Sequence, residues 1–214
     1  MRKIDKSIIL STAYKKWEEE IVGKHPSYNS SNFKFYVDIV MNLYHCQHGL
    51  CAYTERAIAQ TGFEQDKWTE GGRYMGEMPA HYGELEHFDE SLKAEKAWLW
   101  DNFFMVEGKI NRQKHTESVD NILKPDSPHY DPFELLAYNQ EEHIFYPNTE
   151  NPVLDEDTLK RIETMIHTLR LNYVKDWRRK YLLERIKAIE FGLEPDPVDE
   201  YVTAYEMIRR SFAL

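Results

Sequence analysis

Glu86 and His87 adjoin in the sequence, Asn102 follows on a later segment, and Asn111 opens the run Asn111-Arg112-Gln113-Lys114. Residues of these types, in this order, can cut a phosphodiester. Glu86 and Asn111 offer oxygen donors to a hard divalent cation such as Mg²⁺ or Mn²⁺, which keeps waters and takes phosphate oxygens as its other ligands. His87 is then free to act as general base, with an ordinary pKa of about 6.5 that suits deprotonation of water near neutrality. Asn102 lies among Trp98, Trp100, Phe103 and Phe104, a setting that immobilises its amide where it can fix the His87 region. Lys109, Arg112 and Lys114 supply cations for a phosphate. Plainer roles exist beside these. Asn111 reads equally as a helix cap, and Lys114 as a solvated lysine.

Other polar clusters read as structure. His45, Cys46, His48 and Cys51 fall near one helix end at spacings that allow a metal, but a helix end with a buried cysteine accounts for them as well. Pro128-His129-Tyr130-Asp131-Pro132 has the composition of a turn. Arg178-Arg179-Lys180 with Arg185 reads as one solvated helix face, and is the most basic surface outside the central stretch.

The elements that must position these groups follow from periodicity. Ser11 to Ile21 reads as a helix capped by Ser11. Phe33, Tyr36, Val37, Val40, Leu43 and Tyr44 form an apolar stripe ending at Gly49. Leu50 to Tyr53 is short and apolar, hence extended, and Gly71, Gly72, Gly76 and Pro79 mark loops. The segment from His87 to Trp98 is a loop or helical turn, and Asn111 to Val119 a helix. Lys124 to Pro152 is irregular, with an extended piece at His143-Ile144-Phe145. One long helix, capped by Asp157, runs through Leu159, Ile166, Tyr173, Tyr181 and Ile189 to Gly192. Pro195 and Pro197 break it, and Val198 to Phe212 is the last helix.

Bulk properties limit the function classes. The 214 residues carry 42% hydrophobic and 30% charged side chains, enough for one domain with a sizeable core. No apolar run approaches the roughly 20 residues of a membrane span. With Cys46 and Cys51 the only cysteines, no disulfide framework exists, which fits a reducing, cytoplasmic compartment. The net charge of -10 has the wrong sign for a protein that coats nucleic acid unaided. A nucleic-acid role must therefore use a local basic patch or a partner.

Glu86-His87, Asn102 and Asn111-Arg112-Gln113-Lys114 together resemble an HNH endonuclease, whose ββα-metal core is two strands and a helix closing on one divalent ion. Met1-Arg2-Lys3-Ile4 with Lys6, the segment Gln47-His48-Gly49-Leu50-Cys51-Ala52-Tyr53, and Leu169-Arg170-Leu171-Asn172 resemble the bacterial HNH subfamily of Septu-type antiphage systems and some retrons. The resemblance implies Glu86 and Asn111 as metal ligands, His87 as general base, Asn102 as its orienting residue, and Lys114 at phosphate. It also implies an ATPase partner subunit in a defence complex. The sequence departs from the pattern at a structural zinc site. Of two Cys-x-x-Cys pairs only Cys51 remains, with Thr54, Glu107 and Ile110 at the other positions, so no structural zinc is expected.

The expected fold is a single mainly α domain over 1–214 with a small ββα-metal motif and few short strands. Its parts are N-terminal helices (1–50), the HNH core (51–120), an irregular segment (121–154) and C-terminal helices (155–214). The expected function is Mg²⁺- or Mn²⁺-dependent cleavage of DNA, with RNA not separable by these residues. The alternative is an inactive HNH-like adaptor that binds its partner through the helix from Asp157 to Ile189.

Overall fold

The computed structural model describes residues 1–60, 65–193 and 197–212. Where one domain is expected, the chain groups into two compact units: Ile4–Ala52 with Ala57–Val119, and Met1–Lys3 with Tyr53–Arg56 and Asp120–Leu214. Among the described residues there are seven α-helices and two two-stranded antiparallel sheets, so the chain is mainly helical with few strands. No helix among them is long and apolar enough to cross a membrane.

In the unit that carries the proposed chemistry, α1 spans Thr12–Glu20 and α2 spans Tyr36–Gln47. Ser11 holds the N-cap position of α1 as expected, but its side chain makes no capping hydrogen bond. Its hydroxyl instead donates to Asn42 Oδ1 at 2.8 Å, an oxygen that also accepts from the Leu10 and Ser11 amides. That carboxamide, fully buried on α2, thus fixes the segment leading into α1. Left-handed His48 (φ 56°) and Gly49 (φ 72°) end α2. The next residues turn rather than extend, because the Ala52 amide donates to Met105 O at 3.0 Å and Leu50 bridges Ala57.

Strands β1 (Gly83–His87) and β2 (Phe103–Glu107) pair antiparallel, Gly83 opposite Glu107 and His87 opposite Phe103. Gln47 covers the outer edge of β2: its amide accepts from Met105 N at 2.8 Å and donates to Met105 O at 2.8 Å, as a neighbouring strand would. Helix α3 (Gly108–Lys114) follows β2 without a loop. It begins before Asn111 and stops well short of Val119, because His115 takes a positive φ of 48°. The aromatic core beneath the hairpin includes Trp98 stacked on Phe33, with ring centroids 3.5 Å apart, and Tyr14, Trp17, Phe35, Trp100 and Phe103 in contact around them.

The other unit holds α4 (Pro132–Leu135), the hairpin β3 (Leu136–Asn139) and β4 (Ile144–Pro147), α5 (Glu156–Thr168), α6 (Lys175–Glu190) and α7 (Val202–Ser211). The expected long helix is two helices. Its cap is Asp155, which accepts from Thr158 N at 2.8 Å, and not Asp157. The break comes where Asn172 turns its amide onto β4, accepting from Phe145 N and donating to Phe145 O, both at 2.8 Å. Arg170 takes a positive φ of 58° there. Pro195 lies outside the described residues. Arg178, read as part of a solvated face, is buried, with its guanidinium donating to His143 O at 2.9 Å and lying 4.6 Å from the Phe145 ring.

Candidate functional site

A strand, a second antiparallel strand and a helix that runs back beside the first bring Glu84, Glu86, His87, Asn102, Asn111, Arg112 and Lys114 into one neighbourhood. Strand alternation then sorts them. Glu84 and Glu86 share the face that α3 covers, whereas His87 points the other way. Sequence neighbours Glu86 and His87 therefore flank the strand rather than share a pocket.

On the α3 side the contacts form two rungs. Asn111 Nδ2 donates to Glu84 Oε2 at 3.1 Å, and Arg112 Nη1 pairs with Glu84 Oε1 at 2.6 Å. One turn further on, Lys114 Nζ lies 2.7 Å from Glu86 Oε1, with both side chains buried, and also donates to His87 O at 3.3 Å. Lys114, expected at a phosphate or in solvent, is thus a buried counter-ion of Glu86. Asn111, expected just ahead of its helix, sits inside α3 facing Glu84 rather than Glu86. Its amide oxygen accepts no hydrogen bond from a described residue. Arg112 and Lys109 are exposed, where a phosphate can reach them. Gly108 is what allows Glu84 this position, since a Cβ there would fall 2.4 Å from Glu84 Oε1.

On the opposite face the His87 ring is buried, with Tyr28 edge-on at 4.8 Å and Phe103 at 5.0 Å. Its Nε2 lies 2.9 Å from Ala97 O. A carbonyl only accepts, so Nε2 carries the proton and Nδ1 is the basic atom of the neutral ring. Nδ1 faces Glu90 Oε2 at 3.9 Å, and Lys93 holds the other oxygen of Glu90 at 2.8 Å. Burial lowers the His87 pKa below its usual value; the Ala97 carbonyl opposes this and Lys93 reinforces it. The ring is neutral at pH 7, the form a general base requires.

Asn102 closes the loop between the strands. Its Oδ1 accepts from Asp89 N at 2.8 Å and its Nδ2 donates to Asp89 O at 2.9 Å, adding a side-chain rung just beyond His87. The backbone pair Phe88 N to Asn102 O, at 2.8 Å, stands beside it.

Among the described residues no three His, Cys, Asp or Glu side chains converge as a metal cluster. Cys46 turns to Ile8 O and Asn42, and burial pushes its thiol up to about 11. Cys51 instead accepts from Glu107 N at 3.4 Å, so the two cysteines serve different contacts. Asp131 caps α4 by accepting from Phe133 N at 2.9 Å, a turn role as expected. The oxygens of Glu84, Glu86 and Asn111, on adjacent rungs of one face, are the donor set that fits a hard divalent cation. The structure adds two residues to those singled out from sequence, Glu84 and Glu90. Glu84 had a signal, the alternation Gly83-Glu84-Leu85-Glu86-His87; Glu90 had none beyond its distance along the chain. No family model, no curated protein and no solved structure matches this chain.

Proposed function

We propose that this chain is a metal-dependent nuclease of the ββα type that hydrolyses DNA phosphodiesters, acting within a complex. The observation that carries the reading is the His87 ring, buried, neutral, and held by one backbone carbonyl so that Nδ1 is its basic atom. On the other face of β1, a strand-strand-helix unit gathers oxygen donors from positions far apart in sequence.

In this reading Glu84, Glu86 and Asn111 hold Mg²⁺ or Mn²⁺, which when bound supplies charge stabilisation at the phosphate and the leaving oxygen. His87 Nδ1 lies across β1 from those oxygens; brought to their side, it would take a proton from water as the water oxygen bonds to phosphorus and the phosphorus–oxygen bond to the 3′ or 5′ leaving group breaks. Glu90 stabilises the imidazolium so formed. Asn102 keeps the loop carrying Glu90 and Ala97 in register with His87. Arg112 and Lys109 would meet the phosphate, and Lys114 is the buried counter-ion of Glu86.

Tyr28, Glu90 and Lys93 cover the ring, so a side chain must swing aside before water reaches Nδ1. A covered base and a net charge of -10 both support activation by a partner, for which an ATPase subunit of an antiphage complex is the proposal the sequence resemblance supplies. The second reading, an adaptor without catalysis, is favoured by one observation: the Glu86–Lys114 pair is buried and complete without a metal.

Mn²⁺ titration calorimetry and nicking of plasmid DNA, with a structured RNA as the parallel substrate, separate the two. The nuclease reading expects one Mn²⁺ site, weakened in Glu84→Gln and Asn111→Ala. It expects a roughly 10²–10⁴-fold loss of cleavage in His87→Ala with metal binding kept. Absence of Mn²⁺ binding together with no nicking by the parent leaves the adaptor.

A further inference from the structure

The unit formed by Met1–Lys3, Tyr53–Arg56 and Asp120–Leu214 contains a second cleft that the nuclease reading does not use. It has a volume of about 430 Å³ and is lined by Arg56, Trp177, Lys180, Tyr181, Arg185 and Tyr201, together with Glu184 and Glu200. We propose that this cleft binds single-stranded nucleic acid, stacking a base on the Trp177 indole and holding the adjoining phosphates with Arg56, Lys180 and Arg185.

Three observations converge on that ligand. Trp177 is 56% exposed, far more than an indole placed for packing, and projects from the first turn of α6. The Arg56 guanidinium lies 4.8 Å from its ring centroid, so the indole is already oriented by a cation. The second arginine is built in the same way. Arg185 lies 4.1 Å over the Tyr181 ring, anchored by donation to Tyr181 O at 2.9 Å and Pro197 O at 3.2 Å. The Tyr181 hydroxyl is fixed in turn, donating to Asp199 Oδ1 and accepting from Asp199 N. Tyr201 packs edge-on to Tyr181 at 5.5 Å, so the floor is preset before a ligand arrives.

Aromatic faces alternating with anchored cations are what sequence-independent strand binders use, because every base has a π-face and every linkage a charge. The cleft volume is within the range of small-ligand sites and suits one nucleotide at a time. Its three cations outnumber its two acids, in a chain whose net charge is -10. Cations held against the aromatic rings favour a polyanion over a proline-rich peptide, the other ligand an aromatic groove can take. The inference stands apart from the metal site, since stacking needs neither metal nor cleavage.

The test is fluorescence anisotropy of labelled oligo-dT with the full chain in EDTA and low salt, where no metal-dependent reaction contributes. Trp177→Ala should weaken binding roughly five- to a hundred-fold, the range for loss of one stacked base, and Trp177→Phe should restore most of it. Lys180→Glu should weaken binding and flatten its salt dependence. Because both residues are exposed, urea denaturation should place all three variants with the parent. Equal affinity of the parent and Trp177→Ala overturns the proposal. So does the absence of oligo-dT binding, displacement of oligo-dT by a proline-rich peptide, or displacement by thymidine monophosphate as effective as by the strand itself.

Discussion

Among the described residues each unit buries an ion pair, and these two pairs are built differently. In one, the Met1 amine lies 2.9 Å from Glu55 Oε1, both buried. Glu55 Oε2 accepts from Thr203 N at 2.8 Å, Glu55 O accepts from Tyr201 N at 3.1 Å, and Met1 O accepts from the Tyr130 hydroxyl. Burial alone would raise the Glu55 pKa, but the amine and the Thr203 bonds outweigh it and hold the carboxyl below its usual range. This pair joins the beginning of the chain, the Tyr53–Arg56 segment and the start of α7. In the other unit Glu86 meets Lys114 across a strand and a helix, with Glu84, Asn111 and the His87 carbonyl on adjoining rungs. One carboxylate is enclosed by backbone donors that nothing can replace. The other shares its face with the side chains of Glu84 and Asn111 and is paired with the Lys114 ammonium. A buried ion pair is weak evidence for stability by itself, so the neighbours decide what the pair is for.

The sharpest way to break that contrast is Lys114→Met, which leaves Glu86 buried without its counter-ion. Removing one partner of such a pair typically costs about 3–5 kcal/mol, and urea denaturation should register it. If Glu86 is a metal ligand, saturating Mn²⁺ should recover most of the loss by binding the folded state alone. Denaturation curves that ignore Mn²⁺ would make both pairs structural and favour the adaptor.

Glu55→Gln is the matching experiment in the other unit and a milder one. The amide still accepts from Thr203 N, and what goes is the charge opposite the Met1 amine. A hydrogen bond to a charged group contributes about 1.5–3 kcal/mol, so a loss near 2 kcal/mol is expected by the same assay. Mn²⁺ should not change it. Recovery by Mn²⁺ here would show that the ion acts on the fold generally and would remove the distinction drawn from Lys114→Met.

How far the chain could be read in advance follows the same division. The helices α1 and α2 were legible because their stripes are periodic, whereas the strand pair was expected only through the resemblance, without bounds, and α3 was placed at Asn111 to Val119 rather than Gly108–Lys114. Lys114 was misplaced because an exposed and a buried lysine look alike when the partner, Glu86, stands on another element. Arg178 was misplaced likewise, its guanidinium being satisfied by His143 O and the Phe145 ring. The break between α5 and α6 was missed because Asn172 spends its amide on a strand far back in sequence, which helical periodicity does not register. Asp157 reads as the cap, whereas it is Asp155 that accepts from Thr158 N. For Lys114, Arg178 and Asn172 the deciding contact is long-range and polar, which a periodicity of apolar residues does not encode.

The smallest expected effect concerns His87, and it bears on which face of β1 carries the chemistry. Burial lowers its pKa; the Ala97 carbonyl raises it, Lys93 lowers it, Glu90 raises it and Lys114 lowers it, with burial dominant. The folded state therefore favours the neutral ring, while the unfolded chain takes a proton near the ordinary value of about 6.5. Between the two values the unfolded state binds more protons, so stability rises with pH in that window. The contribution is fully present above about 6.5 and declines as pH falls toward the folded value. Its slope cannot exceed about 1.4 kcal/mol per pH unit for one group. His25 and His143 are shifted the same way by burial, so the His87 share is the difference between the parent and His87→Gln. Urea midpoints at about pH 7.5 and about pH 5.5 should fall further in the parent than in His87→Gln, while nicking by the parent persists below about pH 6.5. Equal midpoint shifts in the two proteins would mean that His87 titrates as freely folded as unfolded, and that the buried, neutral base on the far side of β1 has been misread.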